Sequence, residues 1–297
     1  MKTNEIQLRD PFVLADEAEG IYYLFGTTDR NCRDGEGTGF DCYKSSDLRE
    51  WHGPIAAFRP SPGFWGTRNF WAPEVHRLNG RFHMFASFKA DRRYRGTQIL
   101  VSDRVSGPYV PLTEGPITPP DWECLDGTLY VDPDGNPWIV FCHEWVQVHN
   151  GAIYAMRLSQ DLKESVGPPV FLFSASEAPW VRNPGWPDGG SRHLFPTYVT
   201  DGPFLYRVAC GTLVMLWSSA GVKGYAMGTA RSDTGDITGP WRQDSEPLWA
   251  DDGGHGMIFR AFDGRLIVTF HSPNKSPEER PVFIEIEEAG DGIRLRT

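Results

Sequence analysis

The sequence predicts an all-β chain folded as one five-bladed β-propeller, each blade a four-stranded antiparallel sheet. Three observations carry that expectation. Glycine (32) and proline (24) are abundant, aromatic residues reach 13%, and no long stretch has a helical apolar period, the mark of many short strands joined by tight turns. One segment grammar recurs five times, and internal periods of this size signal propellers. A hydrophobic content of 40% is enough for a packed core; the 297 residues fit a single all-β domain, a class that often exceeds the average domain size.

The five first strands read DPFVLAD, EVHRLNG, DGTLYVDPDG, DGPFLYRVACG and GHGMIFRAFDG. Each turns at Gly, Asn or Asp into a strongly apolar second strand: IYYLFGTT, RFHMFASF, PWIVFCHEW, TLVMLWSS and RLIVTFHSP. Third strands follow as FDCYKSSDL, TQILVSDRV, GAIYAMRLSQDL, GYAMGTARSD and PVFIEIEEA. The openings stand roughly 50 to 75 residues apart, with loop lengths absorbing the difference. The resulting domain covers residues 1–297, with blades at 8–57, 70–112, 123–170, 198–247 and 253–297. A β-sandwich is the alternative for such strands, but it gives no reason for five like openings. Because the first repeat begins at Asp10 and the last strand is C-terminal, the ring is expected to close by blade packing, without a strand shared between the termini.

In a propeller the first strand of each blade lines the central channel. Asp10, Glu74, Asp126, Asp201 and His255 are therefore expected to ring one end of it. Loops after the second strands, and those between blades, return to the same face. They bring Glu144 in CHEW, and they make inserts at 28–40, 58–70 and 172–198 the walls of a pocket. Trp71, Trp145 and Trp217 are expected to offer faces to a sugar ring, against the commoner role of such residues as core. Lys89, Arg95 and Arg192 stand on pocket-side loops, where charge is ordinarily solvated.

Composition excludes several function classes. A net charge of −10 and a pI near 5.3 repel phosphate backbones, so nucleic acid is not an expected partner. No apolar run reaches the ~18 residues of a membrane helix, so no membrane partner is expected. The N-terminus MKTNEIQLRDPF has no apolar signal core, which gives a cytoplasmic expectation, or a secreted one if a leader was trimmed. The five cysteines are odd in number and lack any CxxC pair, which reads as free thiols and argues against zinc. Oligomeric state is not legible.

Carboxylates converging on a channel mouth suit glycoside hydrolysis, in which one protonated carboxyl donates to the leaving oxygen and an ionised one activates water. A third carboxylate raises its neighbour's pKa by like-charge repulsion. No organic cofactor is needed, and an oligosaccharide is the expected partner. Plain structural readings stand beside these: Asp10 before Pro11 and Asp126 before Gly127 also suit turns, Glu74 also suits a structural or sugar-hydroxyl partner, and His255 between glycines also suits simple channel filling.

RDPFV, WAPEVH, LDGTLYVDPDGNPWIVF, TDGPFLYR and GGHGMIF, in that order along nearly the whole chain, resemble glycoside hydrolase family 43. The resemblance implies an inverting five-bladed propeller that releases terminal α-L-arabinofuranosyl or β-D-xylosyl units from plant polysaccharides. It implies a general base at Asp10, a carboxylate at Asp126 that tunes and orients the acid, and at His255 an axial calcium ion or water. It also implies a glutamate acid in an EGP motif, where this chain has Asp201. One methylene less withdraws the carboxyl by ~1.5 Å, so Glu144 is an alternative acid. Glu123 in DWECLDG is another, similar to the acid motif of retaining β-fructosidase propellers, but their NDPNG-like nucleophile motif is missing here. Walling inserts favour exo action, and arabinofuranosidase is favoured over xylosidase by the lack of a C-terminal β-sandwich. The rival class is a sugar-binding propeller that has lost activity.

Overall fold

The structure, a computed structural model, describes residues 1–184 and 195–296. It is a five-bladed β-propeller whose twenty strands form five four-stranded antiparallel sheets, each in simple sequence order. The first blade holds β1 (Arg9–Asp16), β2 (Ile21–Thr27), β3 (Phe40–Ser45) and β4 (His52–Phe58). The second holds β5 (Arg68–Leu78), β6 (Arg81–Ala90), β7 (Arg93–Ser102) and β8 (Val110–Pro111). The third holds β9 (Cys124–Val131), β10 (Pro137–His143), β11 (Ala152–Leu158) and β12 (Ser165–Ser174), with a one-turn helix α1 (Trp145–Val148) after β10. The fourth holds β13 (Asp201–Arg207), β14 (Leu213–Gly221), β15 (Gly224–Ser232) and β16 (Trp241–Gln243). The fifth holds β17 (Gly254–Arg260), β18 (Leu266–Ser272), β19 (Arg280–Ala289) and β20 (Gly292–Leu295).

The second strands are buried almost throughout, as in IYYLFGT and LVMLWSSAG. Both faces of each sheet pack against neighbouring blades, so these strands read as continuous apolar runs rather than alternations. The core accordingly lies between blades. One cluster joins the first, second and fifth (Phe25, Phe88, Met257), and others join second to third (Phe85, Phe141), third to fourth (Val140, Trp217) and fourth to fifth (Leu216, Phe270). Outer strands carry the prolines Pro54, Pro111 and Pro168, which a sheet tolerates at an edge, where no partner needs the missing N–H.

The fifth sheet is built wholly from C-terminal residues, so no strand is shared across the seam, as expected. The N-terminal segment instead lies along the last blade. The Leu8 amide donates to Glu279 O at 3.3 Å, Arg280 Nε donates to Asn4 O at 2.9 Å, and the Trp51 and Phe283 rings stack. No helix of the described residues is long and apolar enough to cross a membrane. All five cysteines are free, four of them buried.

Candidate active site

Every first strand breaks its pairing register once or twice, by a bulge near its channel end. The residue at the break has positive φ: Asp10 (51°), Ala72 (46°), Asp126 (56°), Gly202 (52°) and His255 (53°). This backbone costs a non-glycine residue on the order of 1 kcal/mol or more, so the surroundings must hold it. They do so through the amide. Asp10 N–H donates to His271 Nδ1 at 3.1 Å, Ala72 N–H to Thr27 Oγ1 at 2.8 Å, Asp126 N–H to Ser87 Oγ at 2.9 Å and His255 N–H to Ser218 Oγ at 2.8 Å. Gly202 N–H donates to Asp126 Oδ2 at 3.0 Å.

Aligned on the bulge, the openings are R-D-P, W-A-P, L-D-G, D-G-P and G-H-G. The ring members are therefore Ala72 and Gly202 in the second and fourth blades, not Glu74 and Asp201. Aligning on ionisable residues misses this, because the repeated feature is the kinked backbone before Pro or Gly. Glu74 lies two residues further down β5, where its Oε2 is 3.1 Å from His76 Nε2. Asp201 stands one residue before the bulge, level with Arg9 and Trp71, and opens onto the cavity as they do.

That cavity, of about 370 Å³, sits over the ring. Asp10, Asp126, Asp201 and His255 form its floor, and every blade adds wall: Arg33 from the first, Trp71 and Arg95 from the second, Glu144 and Trp145 from the third, Tyr225 from the fourth, Asn274 from the fifth. Asp10 is buried; its Oδ2 accepts from Thr27 Oγ1 at 2.7 Å, and its Oδ1 lies 3.2 Å from His255 Nδ1. The same nitrogen is 3.6 Å from Asp126 Oδ2. Tyr225 Oη donates to Asp201 Oδ2 at 3.0 Å.

These carboxyls differ sharply in proton affinity. Burial pushes Asp10 up, but His255, Arg9 and the Thr27 hydroxyl outweigh it and hold the group at about 2. Burial raises Asp126 well above the usual carboxylate range, reinforced by the charge of Asp10. Burial, then Asp126, raises Asp201 to about 7 against the pull of His255 and Tyr225. The three titrate as one coupled set. Near neutrality the negative charge rests on Asp10, and a proton is held on the Asp126–Asp201 side.

Glu144 lines the cavity but is committed elsewhere: its buried carboxylate accepts from the Arg95 guanidinium. Burial nonetheless raises its pKa, with Arg95 opposing. Arg95 also lies over the Trp71 ring at 4.2 Å and donates to Asn69 Oδ1 at 3.2 Å. Lys89 pairs with Glu123 at 2.6 Å, and Glu123 accepts the Arg95 amide at 2.8 Å. Trp71 and half-buried Trp145 reach the cavity. Trp217 does not: it is fully buried against Trp180 and Phe173, and its Nε1 donates to Gln243. Its strand position, one residue before Ser218, turns it between blades. Arg192, and the insert's residues 185–194, lie outside the described residues.

A calcium ion takes roughly six to eight oxygen ligands. Among the described residues no three His, Cys, Asp or Glu side chains are grouped to hold a metal, and His255 Nδ1 faces carboxylates. Sequence reasoning missed Arg9, Asn69, Tyr225 and Asn274. Tyr225 opens a third strand, and nothing in GYAMGTARSD separates it from a core aromatic.

Such a floor of unequal carboxyls under a walled cavity defines a propeller glycosidase, and the comparisons with known proteins agree. The chain belongs to the glycosyl hydrolases family 43, whose model matches residues 4–292. It is similar to a solved endo-arabinase from Bacteroides thetaiotaomicron VPI-5482, with 43% identity, a TM-score of 0.89 and 98% of each chain covered. An α-L-arabinofuranosidase from Lactobacillus brevis shares the fold at 18% identity and a TM-score of 0.74, over 97% of this chain and 93% of that one. The extracellular endo-α-(1→5)-L-arabinanase 1 of Bacillus subtilis (strain 168) is 24% identical over 187 residues, 60% of this chain. The match spans about half, 53%, of that relative's length.

Proposed function

We propose that this chain hydrolyses α-L-arabinofuranosyl linkages with inversion, Asp10 acting as general base, Asp201 as general acid and Asp126 as the neighbour that keeps the acid protonated. The observation that carries this reading is the divergence of two carboxyls in one cavity: Asp10 at about 2 and Asp201 at about 7. Unequal carboxyls of this kind assign base and acid. Ionised Asp10 takes a proton from water as its oxygen bonds to the anomeric carbon. The Asp201 carboxyl gives its proton to the glycosidic oxygen as that bond breaks. The position of Asp201 before the bulge, level with Arg9 and Trp71, supports its shorter side chain reaching the substrate. The engagement of Glu144 by Arg95 argues for a positioning role there.

Arabinose as the sugar is supported by the similar endo-arabinase structure and the arabinanase relative. Walls contributed by all five blades support exo action, with the chain end entering the cavity. A second reading, cleavage within the chain, is favoured by the description of that neighbour at 43% identity. Digestion of linear α-1,5-arabinan distinguishes them: arabinose alone from the first minutes means exo, a ladder of oligosaccharides endo. Proton NMR should show the β-anomer first. A first-formed α-anomer, or no turnover of arabinan, arabino- and xylo-oligosaccharides or aryl glycosides with sugar binding retained, defeats the proposal.

A further inference from the structure

The blade junctions carry a repeated device with one exception. In each blade, the residue before the bulge pairs with a second-strand residue: Arg9 with Thr27, Trp71 with Ser87, Leu125 with Cys142, Asp201 with Ser218 and Gly254 with His271. Four of those partners accept the bulge amide of the following blade. Cys142 does not; the Gly202 amide passes it and donates to Asp126 Oδ2 at 3.0 Å.

Thr27 shows what a hydroxyl does in that place. It accepts the Ala72 amide and donates its own proton to Asp10 Oδ2 at 2.7 Å. The carboxylate of that blade is thus one hydroxyl removed from the next blade. In the third blade Asp126 stands where Asp10 stands, Cys142 where Thr27 stands and Gly202 where Ala72 stands. A thiol is a weak donor and a weak acceptor. Cys142 is wholly buried, and burial raises its pKa well above the usual thiol range, so it stays a neutral S–H. Asp126 therefore lacks the hydroxyl donor that Asp10 has, and takes the Gly202 amide itself. That amide belongs to the peptide joining Asp201 to Gly202.

We infer that Cys142 is a positioning residue: by withholding a hydroxyl at the third-to-fourth junction, it leaves the Asp201–Gly202 peptide anchored directly on Asp126. A chain with the shorter acid thereby fixes the backbone from which that acid projects. The inference rests on Asp201 being the proton donor.

The test compares Cys142→Ser, Cys142→Ala and Asp201→Asn on two arabinosides, one with a good aryl leaving group and one with a poor alkyl or sugar leaving group. By the Thr27 pattern, the serine hydroxyl accepts the Gly202 amide and donates to Asp126, leaving the carboxylate one hydroxyl removed from the Asp201–Gly202 peptide. It should lower kcat on the poor leaving group by roughly tenfold to a hundredfold, as small misplacements of a reacting group do, while sparing the good one. Alanine offers no acceptor, keeps the Asp126–Gly202 bond, and should preserve the wild-type ratio of the two rates. Equal losses on both substrates in the serine variant, no loss, or a changed ratio in the alanine variant overturns the inference. If Asp201→Asn shows no leaving-group dependence, the assignment of the acid has failed instead.

Discussion

The phenol of Tyr225 donates to Asp201 Oδ2 at 3.0 Å, from the start of the third strand of the same blade. A bond to an ionised carboxylate favours ionisation, so Tyr225 draws the acid down while burial and Asp126 push it up. Tyr225→Phe should move the basic limb of kcat/KM upward by about 1 pH unit. A limb that moves down, or stays fixed, removes Tyr225 from this role.

The wild-type profile itself follows from the two carboxyls. With Asp201 at about 7, kcat/KM should fall tenfold per unit as pH rises above about 7, because the acid has lost its proton. With Asp10 at about 2, no acidic limb should appear between pH 4 and 6. A bell with its acidic limb near pH 5 contradicts the assignment of Asp10.

Asp10→Asn should abolish turnover of every substrate. Asp201→Asn should cost about 10²–10⁴ in kcat on poor leaving groups and little on activated aryl arabinosides, since only poor leaving groups need the proton. Glu144→Gln gives a different signature. It leaves buried Arg95 unpaired, which should destabilise the fold by roughly 3–5 kcal/mol and lower both rates in parallel. Kinetics on paired substrates, with chemical denaturation of each variant, separates the two patterns.

Stability should report the same proton. Asp201 binds its proton more tightly folded than unfolded, so its contribution is full below the unfolded value of about 3.9 and lost as pH rises towards about 7. The slope is at most about 1.4 kcal/mol per pH unit. Asp201→Asn should flatten the decline in unfolding free energy between pH 4 and 7. Asp10 acts with the opposite sign: its contribution stands above about 3.9 and disappears as pH falls to about 2.

Trp217→Ala should cost about 3–5 kcal/mol of stability and leave KM of the folded enzyme unchanged, because the indole packs on Trp180 and Phe173 away from the cavity. Thermal unfolding and Michaelis curves at a temperature where the variant is folded provide the measurement.

The blade count and strand order were legible because both are properties of local pattern: an apolar second strand, a turn, and an opening that repeats. Asp10, Asp126 and His255 were legible for the same reason. Glu74 was misplaced, and Asp201 was aligned one residue out of register though it does reach the cavity floor, because ionisable residues were taken as the repeat, whereas the backbone repeats its kink before Pro or Gly. Trp217 was misread because tryptophan beside the channel and tryptophan between blades have the same sequence neighbours. Arg95 was singled out, but its hold on Glu144 joins β7 to the end of β10, 49 residues on, and no periodicity encodes that pairing. Tyr225 was missed because its significance depends on β13, a strand already passed.

The seam between first and last blades has a bearing on more than closure. Arg9, which lines the cavity beside Asp10, pairs at 2.7 Å with Glu279, a fully buried residue at the approach to β19. One clasp thus fastens the first blade to the fifth and borders the buried Asp10 carboxylate. Arg9 also helps hold the Asp10 carboxyl at about 2, so the packing of the seam and the ionisation of that carboxyl are tied through one side chain.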